Sequence, residues 1–105
     1  MIAPIGAIKK ALDRAGMTID DVDTVELNEA FAAQVIPIMD ECGISLDKMN
    51  PHGGAIALGH PFGQTGVRIM TTLLNDLETL DGTVGLETMC VAQGQGEAMI
   101  VERLK

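Results

Sequence analysis

A chain of 105 residues, 47% apolar but only 2% aromatic, has material for one domain whose core is aliphatic and methionine-rich. A formal net charge of −8 argues against nucleic acid or an anionic membrane surface as a partner, and no apolar run approaches the ~18 residues of a membrane span. Cys42 and Cys90 make no disulfide framework, no leader opens the chain, and Cys42, His52, His60 and Cys90 lack the close pairs of zinc sites, so a cytoplasmic protein without a metal is expected.

In chain order, "PIGAIKKALDRAG" predicts a helix. Pro4 suits its first turn, Ile5, Ile8, Leu12 and Ala15 line one face, and Gly16 stops it. Met1-Ile2-Ala3 offers no good cap. "DTVELN" alternates Val25 and Leu27 with polar neighbours and predicts a strand over 22–27. "EAFAAQVIPIMDECG" predicts a second helix, kinked at Pro37 and ended by Gly43. A turn at Asn50-Pro51 leads to a short strand expected at "AIAL". The clearest helix then runs over 64–80, with Val67, Met70, Leu74 and Leu77 at helical spacing and Arg68, Asn75, Asp76 and Glu78 on other faces. After Asp81-Gly82, "TVGLETM" and "EAMIVERL" predict a closing hairpin. The alternation implies an α/β layered fold, helices on a central mixed sheet. A unit of this kind would open on a strand, and that first strand, expected before Pro4, is missing.

Three places combine reactive groups with permissive backbone. Asn28 stands where a strand gives way to a helix; it fits a helix cap, and it also fits a ligand site at a strand end. His60 lies in "HGGAIALGHPFGQTG" (52–66), where five of fifteen residues are glycine. Glycine costs more entropy to order than any other residue, so the cluster points to sharp turns or close approach of backbone to something. A lone histidine is often a hydrogen-bonded surface residue, but one held by Gly59, Pro61 and Gly63 fits a proton carrier. Cys90 sits at a strand end before Gly94 and Gly96; it fits a buried inert thiol, or a site beside a loop whose N–H groups converge on an oxyanion. Cys42 reads as structural, and His52 stays open. "GHPFGQTG" has no lysine after its glycines and is not a P-loop, and "GQGEAM" is not a dinucleotide fingerprint.

"NEAFA" (28–32), "GGAIALGHPFGQTG" (53–66) and "CVAQGQGEA" (90–98) together resemble the thiolase family, in its C-terminal catalytic half, over essentially all of residues 1–105. The resemblance implies a thiolase-type acyl-CoA acyltransferase, working by Claisen condensation or thiolytic cleavage of 3-ketoacyl-CoA. Cys90 would be the acid/base at the α-carbon. His60 would activate the nucleophilic cysteine and help hold the thioester oxygen, and Asn28 would fix a water there. Ala92, Gly59, Gly94 and Gly96 would surround the oxyanion and substrate. CoA and acyl-CoA enter as substrates, with no bound cofactor, and homo-oligomers are implied.

Two departures bear on this. Ala92 and Gln93 replace two of three usual glycines, so Ala92 is expected to shift the oxyanion donor and Gln93 to add bulk. The family's nucleophilic cysteine belongs to an N-terminal half, so residues 1–105 read as an N-terminally incomplete domain that needs that half as partner. The alternatives are a non-catalytic remnant that binds acyl-CoA or a partner, and a truncated chain with a missing central strand, whose strand neighbours would be left unpaired.

Overall fold

The computed structural model describes residues 2–104. Helix α1 (Ala3–Ala15) opens with Pro4 in its first turn and no side-chain cap at Ile2, while Met1 lies outside the described residues. Gly16 ends it in the left-handed region at φ 66°, where a Cβ would be strained. Ile8 is fully buried, and Ile5 and Leu12 pack beside it; Ala15, expected on the same face, is exposed.

Strand β1 (Thr24–Leu27) is shorter than expected and buried at all four positions. Helix α2 (Ala32–Cys42) starts at Ala32 with Phe31 as its cap residue, so Asn28 is no helix cap. Pro37 lies inside α2 without ending it, and Gly43 closes it at φ 69°. The strand expected at "AIAL" is instead the single-turn helix α3 (Ala55–Leu58). Four residues carry too little periodicity to separate the two states; the turn forms because Leu58 and Gly59 N–H groups close back on Gly54 and Ala55 carbonyls.

Helix α4 (Thr65–Thr79) falls where predicted, but with a different face inward. Its buried positions are Thr65, Ile69, Leu73, Asp76 and Leu77. Val67 and Leu74, expected inside, are exposed, and Asp76, expected outside, is fully buried. The helix carries two apolar stripes, and contact with the sheet selects between them.

Strands β2 (Val84–Val91) and β3 (Gln95–Glu102) form the hairpin, antiparallel from Val84↔Glu102 to Val91↔Gln95. β1 joins β2 in parallel, Thr24↔Gly85 through Leu27↔Thr88, giving a mixed sheet of order β1-β2-β3. Among the described residues β3 has a strand partner on one side only, while β1 and β2 bond one another directly with no gap between them. The outer edge of β1 is covered. Asn50 donates its N–H to Val25 O at 2.8 Å, and its side chain accepts from Leu27 N–H (2.8 Å) and donates to Leu27 O (2.9 Å). A side-chain amide thus stands in for one unit of a neighbouring strand.

Successive side chains leave a strand on opposite faces. One face of this sheet (Val25, Leu27, Leu86) meets Ile8 of α1 and Ile38 of α2, joined by Val22, Ile44 and Met49 in the apolar core. The other meets α4: a Cβ at Gly85 would lie 2.8 Å from Leu73 Cδ1.

Candidate functional site

Because β1 and β2 are parallel, their C-terminal ends emerge on the same side of the molecule, where α/β folds build ligand sites. Asn28 follows β1 directly, its N–H bonded to Thr88 O at 3.0 Å, two residues before Cys90 on β2. From α3 the chain turns through Gly59, at φ 94° and ψ 172°, a region that L side chains rarely adopt. It then delivers His60 to the start of α4.

A cavity of about 490 Å³ lies between that start and the end of β2. His60, Phe62 and Thr65 form one wall, and Met89, Cys90 and Ala92 the other. His60 therefore shares one cavity with Cys90 and Ala92, some thirty residues further along the chain. The structure does not put every expected residue on its wall. Asn28 is one strand over, fully buried, with neither Oδ1 nor Nδ2 partnered among the described residues. Gly59 and Gly94 stand beside the wall rather than on it. Gly96 has another reason to be glycine: a Cβ there would lie 2.5 Å from the Ala3 carbonyl at the start of α1.

The imidazole is oriented by a residue that the sequence reading missed. His60 Nδ1 lies 2.5 Å from Thr65 Oγ1, and that hydroxyl donates to Pro61 O at 3.1 Å. A hydroxyl has one proton to give. With it directed at Pro61, Nδ1–H is the donor to Thr65, and Nε2 of the neutral ring keeps its lone pair for chemistry. Phe62 meets the ring edge-on, centroids 5.5 Å apart at 89°. The signal for Thr65 was the polar residue one turn past the histidine, in the first turn of a helix.

The loop after Cys90 differs from expectation. Ala92 lies in a 3₁₀ turn, and the left-handed angle falls on Gln93, at φ 67° and ψ 33°. An L residue there costs roughly 1–2 kcal/mol. Any strain from the lost glycines thus sits at Gln93 and not at Ala92. Cys42 packs half-buried against the core, and burial pushes its thiol up from the ordinary value. Among the described residues no group of three His, Cys, Asp or Glu is arranged to hold a metal ion.

Behind Asn28, on the same face of β1, is a buried acidic cluster. Glu26 is pushed up to about 9, first by burial, then by its hydrogen bond to Asp76 and the charge there; the Arg68 guanidinium pulls the other way. Asp76 also meets His52 Nδ1 at 2.5 Å. Burial thus favours the protonated form of the Glu26 carboxyl, which in that form can donate to Asp76.

Helices layered on a mixed sheet, with an imidazole and a thiol facing one cavity at the strand ends, agree with the sequence resemblance. The family model described as thiolase, C-terminal domain, matches residues 1–103. The chain belongs to the thiolase family, as its C-terminal domain. It is similar to the 3-ketoacyl-CoA thiolase of Marinomonas sp. (strain MWYL1), with 59% identity over 104 residues, 96% of this chain and 27% of that protein. The 3-ketoacyl-CoA thiolase of Chromohalobacter salexigens is 57% identical over 105 residues, 97% of this chain and 27% of its own length. That of Alcanivorax borkumensis is 58% identical over 105 residues, with 96% and 27% covered. The chain thus spans about a quarter of the length of the curated relatives it matches.

Proposed function

We propose that this chain supplies the acid/base and oxyanion groups of a thiolase-type acyl-CoA acyltransferase and completes its site with an N-terminal half carrying the nucleophilic cysteine. The observation that carries this is the shared cavity, with His60 tied through Nδ1 to Thr65 and Cys90 opposite it. In cleavage, the partner cysteine attacks the 3-keto carbon with its proton passing to His60. The bond to the α-carbon breaks, and Cys90 gives that carbon its proton as acetyl-CoA leaves. CoA thiol then takes the acyl group from the cysteine, and condensation is the same sequence reversed. Asn28 is buried behind the cavity wall with no side-chain partner among the described residues, so its part in this reading is to hold a water that reaches from there toward the thioester oxygen.

Support for a covering half comes from the rim. Phe62 is 94% exposed and Val67 71%, an apolar surface beside the cavity mouth. A cytoplasmic setting, which keeps Cys42 and Cys90 as free thiols, completes the proposal. A second reading, a non-catalytic acyl-CoA or partner-binding fragment, is favoured only by the left-handed Gln93 in the loop beside Cys90.

The test is complementation. Alone, the chain is expected to give no thiolysis of acetoacetyl-CoA. With an N-terminal thiolase half it gains activity, and Cys90→Ala lowers kcat by on the order of 10²–10⁴-fold. Activity that survives Cys90→Ala undiminished would rule out the acid/base role. No gain on complementation would favour the binding fragment.

A further inference from the structure

Helix α3 is a single turn, and a single turn does not hold itself in water. Its first N–H groups have no partner inside the helix, and Gly54 at its start provides no side-chain cap. The missing cap comes from 27 residues away: Glu29 Oε1 accepts the Ile56 N–H at 3.1 Å. Gly54 explains how the carboxylate gets there. Its backbone is ordinary and extended, at φ −126° and ψ −158°, so its angles do not demand glycine. Space does, since a Cβ at Gly54 would collide with the Glu29 carboxylate and come within 2.7 Å of Asn50 Nδ2. Asn50 is itself held by both hydrogen bonds to Leu27. β1, Asn50, Gly54 and Glu29 therefore form one continuous wedge. At the far end, Gly59 N–H bonds Ala55 O at 2.8 Å and the next residue is His60. Upstream, His52 holds the other end of the loop to buried Asp76.

We propose that Glu29 is a positioning residue for His60: by capping α3 across the chain it fixes the strut that sets the imidazole against the cavity. This rests on the reading of His60 as catalytic, but it has a physical consequence that can be seen without activity. A hydrogen bond to a charged group contributes more than a neutral one, and here it is the cap of the only regular element between Asn50 and His60.

The experiment follows the Ile56 amide by hydrogen exchange and the His60 ring by ¹H–¹⁵N NMR in the 105-residue chain, with kcat and KM measured after complementation. Glu29→Ala is expected to speed Ile56 exchange about tenfold or more and to alter the His60 Nδ1–H signal. Glu29→Gln keeps an acceptor oxygen at the same reach and restores both. After complementation, Glu29→Ala lowers kcat on the order of tenfold with little change in KM, and Glu29→Gln recovers most of it. Should Glu29→Ala fail to fold, Gly54→Ala displaces the carboxylate while keeping residue 29, and the same loss of Ile56 protection is expected. Unchanged Ile56 and His60 signals in Glu29→Ala, or in Gly54→Ala, overturn the proposal, as does a glutamine variant no better than alanine. If the complemented wild type is inactive, the acyltransfer reading falls while the two NMR observables still judge Glu29.

Discussion

Over β1 and the middle of β2 the two faces of the central sheet are both buried, and they are built from opposite materials. Val25, Leu27 and Leu86 meet α1 and α2 in hydrocarbon. One residue out of step along the same strands, Thr24, Glu26 and Glu87 are equally hidden. Glu26 and Glu87 are neighbours in register, and Asp76 of α4 is also fully buried. Strands buried on both faces usually read as continuous apolar runs. Here the second face is made tolerable by protonation: burial pushes up both Glu26 and Glu87, so the carboxyls need not be charged together. The alternation that places Glu26 over α4 also places Asn28 there. The apolar face thus supplies stability; the polar face ends in Asn28, while Cys90 falls in step with Leu86 and Thr88.

Three changes would break or sharpen this contrast. The largest effect is expected on the apolar face, where Leu86 is fully buried. Leu86→Ala should lower unfolding free energy by about 2–5 kcal/mol in urea titration; a loss below ~1 kcal/mol would mean that this face is not the main core.

Next is the seat of α4. A methyl at Gly85 would lie 2.8 Å from Leu73 Cδ1 and 3.0 Å from Cγ. Gly85→Ala is expected to cost about 1–3 kcal/mol by overpacking, with Leu73→Val on the same background recovering part of it. Equal stability of Gly85→Ala and wild type would show that α4 sits loosely on the sheet.

The third change is read as a pH profile and concerns the proton on Glu26. Its folded value, about 9, lies above the ordinary carboxyl value of 4.5, so between those limits the native state holds a proton that the unfolded chain has released. Stability from this group is therefore complete below about pH 4.5 and is lost as pH rises through about 9, with a slope approaching ~1.4 kcal/mol per pH unit. Glu26→Gln cannot release that proton and should flatten the decline between pH 5.5 and 8.5. An unchanged pH profile in the glutamine variant would mean that the carboxyl is already ionised in the folded chain.

How much was legible follows from what each residue has to report. Helix α1 announced itself through Pro4 and Gly16, whose backbone preferences act locally whatever surrounds them. The cavity pair His60 and Cys90 was legible through motif resemblance, and so was Ala92. The inner face of α4 was not. Val67, Met70, Leu74 and Leu77 have the right spacing, and so do Ile69, Leu73 and Leu77; periodicity finds a stripe but cannot say which stripe meets the sheet. The strand expected at 55–58 failed for a related reason, since Ala55–Leu58 becomes a helix through a cap supplied by Glu29. Thr65 escaped notice because its role exists only once the histidine turns back onto it.

By itself the sequence determined what depends on neighbours in the chain: where helices start and stop, which residues alternate, and which motifs stand in which order. Tertiary structure alone decided which buried carboxyl is pushed up, which apolar stripe stays outside, and which hydroxyl holds the imidazole. Those are properties of desolvation and proximity, which arise only between segments the chain has already brought together.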